Sequence, residues 1–262
     1  MSLYASPLFA PLRPWLARLP EAPDSAALAA LAEEFPVRTD SGQSIRFAPP
    51  VADGRAYECR IWESGEVETR PDNWHDFFNG LVWLAFPQTK LAITRAHVAA
   101  FRTSQADGRG TIRDGLTHFD ECGIVILSTR PELLELLRAF AWKELFVARR
   151  AEVEACMRFV VFGHATYEQL LAPFRGLTAK GLLFEIEADF LALPAEQQQH
   201  ELDRRLAARI EHDFTGATPL RPRDLQPLPL LGIPGLTPDN ADPAYYDDTW
   251  QFRPGRRQAV AA

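Results

Sequence analysis

The chain has 262 residues, 47% of them apolar and 24% charged, with a net charge of −7. This is ordinary globular composition, long enough to bury a sizeable core, and it fits one domain with appendages. The acidic balance argues against a general nucleic-acid binder, whose affinity rests on basic surface. Three scattered cysteines, Cys59, Cys122 and Cys156, with no C-x-x-C, exclude a disulfide framework and a thiolate zinc site.

In chain order, the N-terminus is interrupted by Pro and Arg and lacks the order of a signal peptide. The longest uncharged apolar stretch, Phe77 to Thr89, is too short to span a membrane, which takes about 20 residues. A cytoplasmic protein with no membrane partner is expected. Residues 6–19 and 25–35 read as helices, the second opened by Asp24 or Ser25. Residues 43–64 alternate, with Ile45, Phe47, Tyr57 and Ile61, and predict one or two short strands. A helix is expected over 73–86, with a stop at Pro87 and a second helix over about 88–103; Pro87 fits its first turn, where a missing N–H is harmless.

Residues 104–110 read as a polar loop and 112–121 as a helix closed near Gly123. Ile124 to Leu127 reads as a buried strand, and Pro131 opens a short helix to about Phe140. From Ala151 to Ala172 the pattern is helical, although 158–162 alone suits a strand. Gly181 to Glu187 is a further strand. Pro194 to Phe214 is an amphipathic helix with Leu202, Leu206 and Ile210 at four-residue spacing. Residues 217–243 then hold seven prolines among Leu228, Leu230, Leu231, Ile233 and Leu236, with Tyr245, Tyr246, Trp250 and Phe252 beyond. A disordered linker does not carry so many large apolar groups, so this reads as a strap packed on the body. The arginines at 149–150 and at 253, 256 and 257 read as a solvated face and a frayed tail.

The expected fold is therefore α+β and predominantly helical. It is a single globular domain with a few short strands, a helical body over 1–216 and a Pro-rich strap and tail over 217–262.

Three constellations could carry chemistry. The first is Asn73-Trp74-His75-Asp76-Phe77-Phe78-Asn79. On a helix, His75, Asp76 and Asn79 share a face, and the apolar residues around them predict burial. Buried polar groups need partners, because an unpaired one costs about 1–3 kcal/mol. The second is Asp114, His118 and Glu121, at i, i+4 and i+7, with Asp120 beside them. Carboxylates and imidazole at that spacing suit a divalent metal or an acid–base pair. The third is His164 with Glu168 one turn later, where a carboxylate fixes the imidazole tautomer. Each also has a purely structural reading, as a packed hydrogen-bond network, a helix cap or a solvated face. There is no dinucleotide or phosphate-loop glycine motif, no G-x-S-x-G and no H-E-x-x-H. The His75–Asp76 dyad is shared with HD phosphohydrolases, but those need an upstream histidine ligand and His75 is the first histidine here.

The stretches NWHDFFNGLVWLAFPQTK at 73–90, RDGLTHFDECG at 113–123, FGHATYEQLLAPFRGLTAK at 162–180, LPLLGIPGL at 228–236 and YYDDTWQFRPGRR at 245–257 together resemble a bacterial family, number 3025 of the domain-of-unknown-function series. The resemblance runs from about residue 60 to the C-terminus. It implies no activity. It implies that His75, Asp76, Asn79, Asp114, Asp120, Glu121 and His164 lie in segments typical of the family. His118 falls where other members often have an apolar residue, which favours Asp114 with Asp120 or Glu121 as ligands.

Two functions are expected. In one, the stripes converge on a pocket that holds a divalent metal or an acid–base pair, for hydrolysis. His75, Asp76, Asp114 and His164 would be catalytic, with His75, Asp76 and Asp114 on the metal and Asn79, Asp120, Glu121 and Glu168 in binding roles. In the other, the protein is a non-catalytic binding or scaffolding domain. A homo-oligomer is compatible with both.

Overall fold

Prolines shape the first element. Pro11 and Pro14 have no N–H to donate, and the helix expected over 6–19 divides into a 3-10 turn, Pro7–Leu12, and a short helix α1, Arg13–Leu16. The structure, a computed structural model, describes residues 4–103, 111–215 and 219–255; the loop expected over 104–110 and the end of the tail lie outside them. Helix α2, Ser25–Glu34, opens on Asp24, whose carboxylate accepts the Ala27 N–H at 2.9 Å.

Strands β1, Arg46–Ala48, and β2, Glu66–Glu68, form a two-stranded parallel pair. Between them the expected strand residues Tyr57 and Ile61 prove to be one helical turn apart on α3, Tyr57–Ser64. This helix stops at Gly65, which takes a left-handed φ of 73°. Ile61 is buried there by helical periodicity, so the apparent alternation is a coincidence of spacing.

Helix α4, Trp74–Ala85, is apolar nearly all round and is buried from Asp76 to Ala85. Helix α5, Pro87–Thr103, starts at the expected proline. Its first free N–H groups, of Gln88 and Thr89, each donate at 2.9 Å to the carboxylate of Asp203. The Thr89 hydroxyl adds a third bond at 2.7 Å. Burial pushes the Asp203 carboxyl up, and these bonds oppose it.

Helix α6, Thr111–Cys122, runs straight into β3, Gly123–Ser128, every residue of which is buried. Helix α7, Pro131–Arg138, and a π turn, Glu144–Ala148, come after it. The helical pattern read over 151–172 divides into α8, Arg150–Cys156, and α9, His164–Gln169, and between them the strand that 158–162 also suited is β4, Met157–Val161. The edge of β3 overrides local periodicity: β4 pairs with it antiparallel, from Ile124 with Val161 to Ser128 with Met157. Strand β5, Thr178–Glu185, lies parallel to β3 on its other side. Helices α10, Ala188–Ala192, and α11, Ala195–Thr215, come next. Strand β6, Gln226–Pro229, completes the sheet order β4-β3-β5-β6. Its prolines sit on an edge, where a missing N–H is tolerated.

Beyond β6 the proline-rich segment lies on the body. Leu230, Ile233, Tyr246 and Phe252 are buried there, as is Leu228 within β6. The Tyr246 hydroxyl donates to the Gly232 carbonyl at 2.8 Å, and the Trp142 indole donates to the Arg253 carbonyl at 2.9 Å. No described helix is long and apolar enough to cross a membrane. Four packings bring the polar stripes together: α4 against α9, α6 against α5, α6 against α9, and α3 against α5.

Candidate metal centre

The first turn of α4 is fixed by local bonds. Asn73 is its N-cap and accepts the Asp76 N–H at 2.9 Å. Asp72 adopts a left-handed φ of 53° just before it, which Asp tolerates better than most residues. This turn returns Arg70 over Asp76, which accepts from Nε at 2.7 Å, from Nη2 at 2.8 Å and from the Arg70 backbone N–H at 2.8 Å. Burial pushes the Asp76 carboxyl up, but the Arg70 bonds prevail and hold it below the usual range. Both Asp76 oxygens are taken, so this carboxylate anchors a helix end.

Asn79 joins a second chain of bonds. Its amide N–H donates to the Tyr57 hydroxyl at 2.8 Å, and its carbonyl accepts from Lys90 Nζ at 2.9 Å. Lys90 also reaches both oxygens of Asp120, at 2.6 and 2.8 Å. Burial raises the Asp120 carboxyl, but the Lys90 charge outweighs it and holds Asp120 low. The Tyr57 phenol is pushed well above its ordinary value by burial.

His75 faces a different set. Its Nδ1 lies 3.2 Å from a Glu168 oxygen, while its Nε2 lies 3.1 Å from His164 Nε2 and 3.7 Å from a Glu121 oxygen. The same Glu121 oxygen is 3.5 Å from His164 Nε2. The two rings meet edge to face, 4.5 Å apart and at 77°. His75, Glu121 and His164 each offer one ligand atom, and these atoms all lie within 4.8 Å of one another. Burial raises the Glu121 carboxyl, but the two imidazoles, His164 foremost, hold it low.

The close approach of α6 and α9 requires Gly163. A Cβ there would lie 2.4 Å from both the Glu121 carbonyl oxygen and the Gly123 nitrogen, backbone atoms that cannot swing aside. The Gly163 N–H bonds to the Gly123 carbonyl at 2.8 Å. One glycine thus places His164 beside Glu121.

The three expected constellations each contribute to one place: His75 from the first, Glu121 from the second, His164 and Glu168 from the third. Asp76 and Asp114, expected as ligands with His75, are not in the triad. Asp76 is held by Arg70. Asp114 is exposed and sits seven residues before Glu121, about 10 Å along the helix. His118 is exposed as well. Asn79 and Asp120 lie in the wall beside the triad, with Lys90 and Tyr57, which sequence reasoning missed. The single lysine of α5, one residue before the apolar Leu91-Ala92-Ile93, was the available signal for Lys90.

The triad opens on a cleft of about 440 Å³ that includes Tyr57, Glu58, Arg70, Lys90 and His97 in its walls. A larger groove, about 1130 Å³, runs elsewhere between Pro11, Trp15, Leu84, Val160 and Phe190. Its buried carboxylate, Asp203, is used as a helix cap, and it does not contain the triad.

Glu168 is hydrogen-bonded to His75 and offers no ligand atom to the triad itself. Glu168→Gln is expected to lower the affinity for a divalent metal about 10–100-fold, the usual effect of losing a carboxylate behind a ligand histidine. The melting temperature without metal should stay near that of the parent. Titration with Zn²⁺ against a competing chelator reads the change; unaltered affinity would show that Glu168 does not support the site.

The sequence profile of a family described as "Protein of unknown function (DUF3025)" matches residues 45–256. Searches of curated proteins and of solved structures find no match.

Proposed function

Since the chain belongs to the DUF3025 family, a family of unknown function, we propose from the site itself that the protein is a hydrolase dependent on one divalent metal ion. The ligands would be His75 Nε2, His164 Nε2 and one Glu121 oxygen. The observation that carries this is the triangle of these atoms, with edges of 3.1, 3.5 and 3.7 Å. Ligands about 2.0–2.1 Å from a tetrahedral ion are separated by about 3.3 Å, so the three atoms already stand at coordination spacing. Glu168 supports the same reading. By accepting from His75 Nδ1 it leaves the Nε2 lone pair facing the triad, as carboxylates behind metal-bound histidines do.

Two imidazoles and one carboxylate suit zinc or another borderline divalent ion, and three protein ligands leave a position for water or substrate. An ion so held lowers the pKa of bound water toward neutrality and polarises a carbonyl or phosphoryl oxygen. Hydrolysis is the reaction this supplies without a further cofactor.

The test is metal-dependent turnover. Chelator-treated protein, reloaded with Zn²⁺ or Mn²⁺, is assayed against chromogenic esters, amides and phosphoesters. Activity that returns with metal and is lost in Glu121→Gln supports the reading. Metal that binds without metal-dependent turnover of any of these classes leaves the non-catalytic binding domain as the function.

A further inference from the structure

Charge pairing in the cleft restricts what it can bind. Of the charged groups lining it, Arg70 is paired with Asp76 and Lys90 with Asp120. Glu68 lies 3.3 Å from the buried Arg60 behind it. Both cations of the wall are therefore spent on carboxylates of the same wall. Two carboxylates are left over, Glu121 and Glu58. Glu121 belongs to the metal triad, and Glu58 does not.

Among the described residues, Glu58 has no lysine or arginine at ion-pair distance. It faces His97, whose Nδ1 lies 3.8 Å from Glu58 Oε1. The His97 side chain is only 5% exposed, and its Nδ1 has no hydrogen-bond partner. Burial, aided by Arg113 and Lys90, outweighs Glu58 and Asp120 and pulls the His97 pKa down. Burial thus disfavours the imidazolium and makes His97 a poor counter-ion to Glu58. A buried nitrogen with no partner is costly, and here it lies beside a lone carboxylate in the wall of an open cleft. With the imidazole proton on Nε2, His97 Nδ1 and the Glu58 oxygen are two acceptors 3.8 Å apart, and a single ammonium or guanidinium nitrogen can donate to both.

We propose that the cleft recognises a cationic substrate, an amide or ester bearing an ammonium or guanidinium group, and that this group is seated between Glu58 and His97. Tyr57, the neighbour of Glu58, is suited to the uncharged part. Its oxygen already accepts from Asn79, which leaves the hydroxyl proton free to donate to a carbonyl. A phosphate or carboxylate substrate would find every side-chain cation of the wall engaged, and would have only the metal ion to attract it.

This inference rests on the hydrolase reading for its chemistry, but its test does not. The full chain is loaded with Zn²⁺, its metal content is measured, and L-argininamide and inorganic phosphate are titrated by calorimetry. L-Argininamide should bind the parent protein and bind Glu58→Gln about tenfold or more weakly, since a hydrogen bond to a charged group is lost. The metal content of the two proteins should be equal. Binding that is absent, or equal in Glu58→Gln, overturns the proposal, as does phosphate binding more tightly than L-argininamide. A protein that holds no metal yet binds L-argininamide through Glu58 overturns the hydrolase reading and leaves this site standing.

Discussion

Lys90→Met is expected to destabilise the fold by about 3–5 kcal/mol, the cost of leaving a buried charge without its partner. The lysine side chain is 3% exposed and Asp120 16%, so the pair is largely withdrawn from water. Nζ bonds both Asp120 oxygens and the Asn79 carbonyl, and its loss also releases Asn79 from one side. Denaturant unfolding measures the change. The double variant Lys90→Met, Asp120→Asn should recover most of the loss, because the cost lies in the orphaned charge. If the single variant is within about 1 kcal/mol of the parent, the value of an exposed pair, the ion pair does not prop the fold.

The pH dependence of the parent and the variant should differ in sign. In the parent, Lys90 holds the Asp120 pKa below its ordinary value of about 3.9. The pair's contribution is therefore complete above that value and is lost as pH falls through the lower, folded pKa. In Lys90→Met, burial is opposed only by His164 and His97 and raises the Asp120 pKa. The contribution of Asp120 is then largest below about 3.9 and is lost as pH rises through the folded pKa. The variant should be least deficient in mild acid. Parallel stability curves from pH 4 to pH 7 would contradict this.

The second large effect is on metal binding. His75→Ala is expected to weaken it by more than the 10–100-fold lost with a supporting carboxylate, because a ligand itself is removed. The His75 side chain is one-third exposed, so truncation leaves little cavity. Without metal, the variant should melt close to the chelated parent. With metal at a hundred times the dissociation constant, the parent gains about 2.7 kcal/mol, several degrees for a chain of this size. His75→Ala should gain almost nothing. A parent whose melting temperature ignores Zn²⁺, or a variant stabilised as much as the parent, would count against the triad.

Much of this is legible in the sequence. The all-round apolar character of α4 announces that Asp76 and Asn79 are buried and partnered, whereas His75, from the same stripe, stays one-third exposed and opens to the cleft. Pro87 marks the start of α5 and the leucine spacing marks α11, because those signals are local. What fails is non-local. The Met157–Val161 segment carries helical periodicity on both sides, so 158–162 suits helix or strand by itself, and the choice falls to the strand because β3 offers an edge. The partner of Asp76, Arg70, is six residues away across a turn with a left-handed Asp72, which spacing rules do not foresee. Helical spacing groups Asp114 with Glu121, yet which end of the stripe meets His75 is set by Gly163, whose missing side chain lets α9 approach the end of α6. Lys90 and Tyr57 escape notice because their roles depend on Asn79, 11 and 22 residues distant in sequence.

Whether His75, Glu121 and His164 form one metal site is decided most directly by the metal content of the purified full chain. It is measured after equilibration with Zn²⁺ and dialysis into metal-free buffer, beside His75→Ala. One ion per parent chain and close to none in the variant is the expected result. A parent chain without bound metal, or a variant that retains it in full, would contradict the site.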